Sequence, residues 1–313
     1  MSGIPAGGPP GAPGGNPAQT ATRVFVDHRE LLFSVVYNML GSVADTEDVL
    51  QETWLAWVAR TEAASGEQIT SPRAYLVRIA VNRALARQAS ISRRREDYTG
   101  PWLPEPLITE DQAGDSAETV VRAESVSIAL LVVLETLTPL ERAVFVLHEM
   151  FGYAHTEIAG ILDRSPTAIR QLAHRAREHV HARRPRYQTD PQVRQRVTER
   201  FLAAVMGGDL PALMQALAPD VTVWADGGGK ARAAGTHPVH GRDKVASLII
   251  GDAFRHPIPD LSIRYRRVNG EPAALLLSGS TPYMLVSLDL IPDGDQVRGI
   301  YVVTNPDKLS RLG

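Results

Sequence analysis

The side chains best suited to gripping a large polyanion cluster between Ser165 and Arg177, in SPTAIRQLAHRAR. At helical spacing Thr167, Arg170, Gln171, His174 and Arg175 share one side and carry hydroxyl, amide, imidazole and guanidinium ends. Such groups pair with base edges and phosphates when a helix enters the major groove. Ile169, Leu172, Ala173 and Ala176 recur at i, i+3, i+4 and i+7 and form the opposite, core-facing stripe. Ser165 is placed to cap this helix, and Pro166 to open it where a missing N–H costs nothing. Just upstream, Thr156–Leu162 reads as a shorter helix, and Asp163-Arg164 leaves room only for a tight turn. Two short helices joined in this way describe a helix-turn-helix with its reading helix. The alternative is a solvated amphipathic helix in an α-hairpin.

A formal net charge of −2 over 313 residues means that a DNA binder must segregate its basic groups. It does so here: Arg164, Arg170, Arg175, Arg177, Arg183, Arg184 and Arg186 stand against Glu178. With 44% hydrophobic and 22% charged residues the chain reads as globular, and its length suits two or three domains. The absence of cysteine excludes disulfides, thiolate nucleophiles and cysteine-based zinc sites. The longest apolar run, Ile128–Leu134, falls far short of the ~20 residues of a membrane span. Residues 1–22 are mostly Gly, Pro, Ala and Ser, without the basic start and apolar stretch of a signal peptide. A disordered tail and a cytoplasmic protein are expected.

Residues 23–99 read as helices. The second of them, from about Asp45 to Arg60, shows Asp45, Glu47, Asp48, Gln51, Glu52 and Trp57, either ordinary solvation and packing or a docking face for a basic partner. A polar loop, Thr61–Ser71, precedes a helix over Arg73–Gln88 whose polar positions include Arg78, Asn82, Arg83 and Arg87. It runs into Arg93-Arg94-Arg95, a solvated face or a phosphate contact. Residues 100–123 form an acidic, proline-bearing linker in which Trp102, Leu103, Pro104, Glu105 and Pro106 make a stiff extended peptide with an apolar anchor. The reading unit follows over 124–187, with a capping box at Thr138 and Glu141.

From residue 188 to 313 the pattern changes to helices followed by strand-like runs separated by Asn-Gly, Pro and Asp-Gly turns. An α+β cone with a curled antiparallel sheet is expected. Trp224, Asp226, His237, His240 and Tyr283 are its candidate acid–base and pocket residues, although spacing alone sets up no base-and-oxyanion arrangement. The glycines of Asp226-Gly227-Gly228-Gly229-Lys230 lack the spacing and the Ser/Thr of a phosphate loop. They suit a close approach of another backbone.

ADTEDVLQETWLAW followed by SPRAYLVRIAVNRAL resembles region 2 of the extracytoplasmic-function (ECF) sigma factors of bacterial RNA polymerase. The helix-turn-helix resembles their region 4, and the likeness covers roughly Arg23–Arg186. The resemblance implies that Asp45, Glu47, Asp48, Gln51, Glu52 and Trp57 dock on core polymerase. It implies that Arg78, Asn82, Arg83 and Arg87 open the −10 element around an extruded base, and that the 165–177 helix reads the −35 element. The last third resembles the SnoaL-like, NTF2-like fold, some members of which act on polyketides or steroids. WLPEP, DGGGK and Asn305-Pro306-Asp307-Lys308-Leu309 resemble the signatures of sigma factors fused to such a domain, the sigma factor J type. In that type the linker would lie against the C-terminal domain, and the other two motifs would control how the sigma domains are held. The expectation is therefore a multidomain protein: two all-α sigma domains, then an α+β SnoaL-like cone. Its partners would be core RNA polymerase, promoter DNA and a small-molecule or protein ligand of the cone, with no membrane, metal, cofactor or catalysis. Two alternatives stay open: a SnoaL-like enzyme with a DNA-targeting appendage, and a helix-turn-helix repressor.

Overall fold

A computed structural model of the chain describes residues 17–63, 69–109, 126–183, 190–231, 235–292 and 294–312. Most of the expected tail, the middle of the 61–71 loop, the acidic part of the linker, and the Arg184 and Arg186 of the basic segregation lie outside the described residues. Helices α1 (Pro17–Leu40), α2 (Val43–Ala63) and α3 (Pro72–Glu96) bury their apolar stripes together: Leu32, Val35, Val36 and Met39 against Val49, Leu50, Leu76, Val77 and Ala80. Helix α1 starts before Arg23, where the tail was expected to end, because Ala21 is buried and its carbonyl accepts the Trp57 indole N–H at 2.9 Å. Gly41, at φ +68, makes the left-handed turn into α2 that a side chain would strain. Helix α3 outruns the expected Gln88 because Gln88 and Ile91 still face the core.

Ser127 caps α4 (Ile128–Leu134), and the Thr138–Glu141 capping box opens α5 (Pro139–Phe145), which passes directly into a π turn at Val146–Met150. Helix α6 (His155–Leu162) and helix α7 (Pro166–Arg183) follow, joined through Asp163 in the left-handed region at φ 52. Leu131, Leu134, Val144, Ile158, Ile169 and Ala173 belong to the same buried cluster as the stripes of α1–α3. The two helical units are distinct in sequence yet share one hydrophobic core.

The remainder is α+β. Helices α8 (Pro191–Gly207), α9 (Leu210–Ala216) and α10 (Arg242–Arg255) accompany β1 (Leu217–Asp226), β2 (Val239–His240), β3 (Leu261–Val268), β4 (Glu271–Ser278), β5 (Thr281–Leu290) and β6 (Val297–Val303). Among the described residues the strand order is β2-β1-β6-β5-β4-β3. The expected antiparallel sheet is corrected at one pairing: β1 and β6 run parallel, with Asp226 opposite Val303. Alternation sends Ala274 and Leu276 of β4 towards Phe201, Leu202 and Leu213 of the helices. Ala273, Leu275 and Leu277 go the other way, to meet Leu103 of the linker and Ile128 of α4. A strand buried on both faces reads as a continuous apolar run. A short helix, α11 (Pro306–Leu309), leaves β6 capped by Asn305.

Candidate functional site

The parallel pairing of β1 and β6 brings the ends of both strands, and hence DGGGK and NPDKL, to one edge of the sheet. There the fully buried Asp226 carboxylate takes hydrogen bonds on Oδ1 from the Tyr98 hydroxyl at 2.6 Å and from Gly228 N–H at 3.1 Å. Its Oδ2 takes Leu103 N–H at 2.7 Å and the Lys308 ammonium at 2.7 Å. Lys308 also donates to the Leu103 carbonyl and lies 4.2 Å from the Trp102 ring and 5.3 Å from the Tyr98 ring. Burial pulls the Lys308 pKa down, with Asp226 opposing it. Burial, and then the hydrogen bond to Asp226, pushes the Tyr98 phenol up. The Asn305 amide donates to the Tyr98 hydroxyl at 2.8 Å, and Lys230 pairs with Asp307 on the surface. Gly228 sits at φ +60, and a Cβ there would overlap the Asn305 side chain; at Gly229 a Cβ would lie 3.1 Å from Thr99. Gly227 accepts the Lys230 N–H at 2.9 Å and closes the turn, while Pro306 opens α11 and Leu309 is buried beside Leu103.

The other side of the linker is fastened to the helices. Glu105 is buried; its N–H donates to Gly41 O at 2.9 Å and its carboxylate accepts Val43 N–H at 2.8 Å. Its carbonyl accepts the Tyr37 hydroxyl at 2.6 Å, and that hydroxyl in turn accepts the Asn269 amide at 2.9 Å. Pro104 and Pro106 are buried without an N–H to satisfy. Trp102 is half-buried, 3.5 Å from the Arg95 guanidinium. The structure thus brings WLPEP, Asp226, Gly228, Asn305 and Lys308 into one clamp. Tyr98, Tyr37 and Asn269 stand in no motif and were missed by the sequence reading, while Arg95, read as a solvated face or a phosphate contact, binds Glu135, Leu40 O and Trp102 instead. The Arg run ending at Arg95 and the Asn269-Gly270 turn were the visible hints.

On α7, Thr167, Arg170, Gln171, His174 and Arg175 are all exposed, while Ile169, Ala173 and Ala176 are buried. Arg170 donates to the Thr167 hydroxyl at 3.2 Å, and His174 lies 3.3 Å from Glu178. Arg175 is tethered to Glu141 at 3.1 Å. On α3, Tyr75, Arg78, Ile79, Asn82, Arg83 and Ala86 line an open groove of about 450 Å³. The Asn82 amide donates to Arg78 O at 2.8 Å and also to Ile161 O of α6 at 3.0 Å. Arg83 pairs with Glu52 at 2.7 Å, and Arg87 with Asp45 at 2.9 Å, with Asp48 and with Glu52. Asp45, Asp48 and Glu52 of α2 and Arg83 and Arg87 of α3 therefore neutralise one another. Burial raises the Asp45 pKa, but hydrogen bonds from Arg87, Arg94 and Ser42 outweigh it and hold the carboxyl below its ordinary range. Glu47 is gripped by Arg29 at 2.7 Å. Two surface expectations are corrected. Trp57 is 4% exposed and packs on Tyr75, and Asp45 is buried, so both hold α2 in place instead of facing outwards. Gln51 is exposed beside Leu55, an outward leucine one turn on.

The acid–base candidates do not converge on a substrate. Asp226 has its oxygens filled by the clamp, and Trp224 stacks on Tyr301 at 5.0 Å. His240 meets Thr222 at 2.9 Å, while His237 and Tyr283 are exposed. Phe201, Leu213, Val221, Leu288 and Ile300 are buried between sheet and helices. Among the described residues no group of three or more His, Asp or Glu could hold a metal, and no helix is long and apolar enough to cross a membrane.

Comparison with known proteins agrees with this layout. The family described as Sigma-70 region 2 matches residues 24–94, and Sigma-70, region 4 matches residues 127–180. The ECF RNA polymerase sigma factor SigJ of Mycobacterium tuberculosis is 38% identical over 291 residues, covering 90% of this chain and 91% of the relative. The probable ECF RNA polymerase sigma factor SigI of the same organism is 30% identical over 287 residues, covering 91% and 93%. The crystal structure of M. tuberculosis SigJ superposes with a TM-score of 0.71 at 34% identity, covering 92% of this chain and 98% of that one. Helical reading units in this order, a C-terminal α+β domain and similarity along nine-tenths of the length lead to one conclusion: the chain belongs to the ECF RNA polymerase sigma factor family.

Proposed function

We propose that this protein directs core RNA polymerase to promoters, in the cytoplasm, and that its C-terminal domain regulates it in cis. Family membership supports the first part. Thr167, Arg170, Gln171, His174 and Arg175 read the −35 element. Arg78, Asn82, Arg83 and Arg87 hold the −10 strand at the α3 groove, and Glu47, Asp48, Gln51, Glu52 and Leu55 form the polymerase-facing surface of α2. The carrying observation for regulation in cis is the buried Asp226–Lys308 pair closed on the backbone of Leu103. Such a contact fixes the connector between the two DNA-reading units to a third domain. No catalytic step enters this reading.

Run-off transcription with core polymerase tests it. The full chain, or a chain with the clamp broken by Asp226→Asn, should give a promoter-dependent transcript. Silence from both would end the proposal. Arg170→Ala should weaken −35 binding by about 1–3 kcal/mol for the cognate sequence alone. An equal loss on every sequence would make Arg170 a phosphate contact.

A further inference from the structure

Away from the clamp, a second set of charges joins the α1–α3 helices to the helix-turn-helix unit. Arg142 of α5 is 2% exposed; its Nε donates to Asn38 O of α1 at 2.9 Å and its Nη1 to Glu135 at 2.5 Å. Arg95, in the last turn of α3, donates to the other oxygen of Glu135 and to Leu40 O at 3.0 Å. Arg142 Nη2 and Arg95 Nε are buried without a partner. One carboxylate therefore offsets two desolvated guanidiniums, and burial disfavours the charge on each. The same boundary carries the Asn82–Ile161 hydrogen bond, which spends the amide of the α3 groove on the backbone of α6. Arg95 has one more neighbour: it lies against Trp102, the indole that Lys308 of the clamp also touches.

We propose that Glu135 is a latch that keeps the two DNA-reading units docked on each other, and that Arg95 couples this latch to the clamp through Trp102. With the latch closed, the Asn82 amide is held on the Ile161 carbonyl of α6 and is not free to pair with a base in the groove. Release of WLPEP withdraws Trp102 from Arg95, frees its guanidinium to turn to water, and leaves Arg142 as the sole partner of Glu135. The idea rests on the reading of this chain as a sigma factor whose two units must part on a promoter.

The chain has no cysteine, so exposed Ala44 of α2 and Ala182 of α7 can be replaced by cysteine and spin-labelled in the full-length protein. Pulsed electron–electron distance measurement then reports docking directly. The labelled parent should give one narrow distance. Glu135→Gln should raise the separated population roughly tenfold or more, because it leaves the buried Arg142 and the half-buried Arg95 without their shared anion. Trp102→Ala should shift it in the same direction, and the double variant should go no further than the larger single. Unchanged distances in Glu135→Gln, or two shifts that add, would overturn the proposal. If Glu135→Gln loses its helical circular-dichroism signal, Glu135→Asp, which keeps the charge on a shorter arm, replaces it with the same expected direction. Run-off transcription with the same proteins separates this from the broader reading. Initiation with unchanged distances removes the latch and keeps the sigma factor; the distance shift without initiation does the reverse.

Discussion

At the scale of single residues, the chain repeatedly buries a charge and surrounds it. Asp226 is the clearest case, since Lys308 beside it is also nearly enclosed, with its side chain 11% exposed. Truncating one member strands the other in a low-dielectric site. Asp226→Ala should therefore lower unfolding free energy by about 3–5 kcal/mol in a urea titration. Asp226→Ala combined with Lys308→Met should recover most of that, because a missing pair costs less than half of one. Asp45 gives a pH dependence of definite sign. Its folded pKa lies below its ordinary 3.8, so near that value the folded chain binds fewer protons than the unfolded one. Its contribution is fully present above pH 3.8 and is lost as pH falls through the folded value. Urea titrations between pH 7 and pH 3 should show a decline that Asp45→Asn makes shallower. The exposed and buried faces of α7 were legible because helical period and side-chain chemistry all lie within thirteen residues of sequence. Tyr98 and Glu135 were not, since what they do is decided by residues that reach them only in three dimensions.

At the scale of elements, local rules carried far. Ser165 and Thr138 cap the helices that the sequence assigned to them, with Ala168 N–H on Ser165 Oγ at 3.2 Å and Glu141 closing the box. The strand over Leu261–Val268 has the bounds that its flanking turns fixed. Direction was beyond such rules: an apolar run says that a strand is buried on both faces, not that its neighbour runs parallel, as β6 does beside β1. Trp57 was misplaced for a related reason, because an acidic helix face conceals which of its aromatics turns inwards. Glycines separate the two kinds of information. Gly228→Ala combines a left-handed φ with overlap on Asn305 and should cost about 1–3 kcal/mol, read as a lower melting midpoint. Gly160, inside α6 with open space around it, should instead stabilise on change to Ala by about 0.5–1 kcal/mol. Equal effects at the two sites would contradict the geometry of the clamp.

At the scale of the whole molecule, the linker is the part that everything else holds. Leu103, Ile128 and Ala129 are buried in a cluster with Val268, Leu275 and Tyr301 of the C-terminal sheet. A chain cut after residue 187 should uncover these side chains and bind a hydrophobic dye such as ANS more strongly than the full chain. Leu103→Ser should remove part of that excess. The shared core of the two helical units lay outside what the sequence could show, because each unit's stripe is complete by itself and nothing local says that the stripes meet. The clamp also has a place in time. The helical half is complete in the nascent chain by Arg183, whereas Lys308 is added roughly 125 residues later. At about 5–20 residues per second, every new copy spends on the order of ten seconds with its helical half made and the clamp still unsynthesised. A cell that relies on this contact for silence must therefore tolerate, or use, a short burst of unrestrained sigma factor at each round of translation.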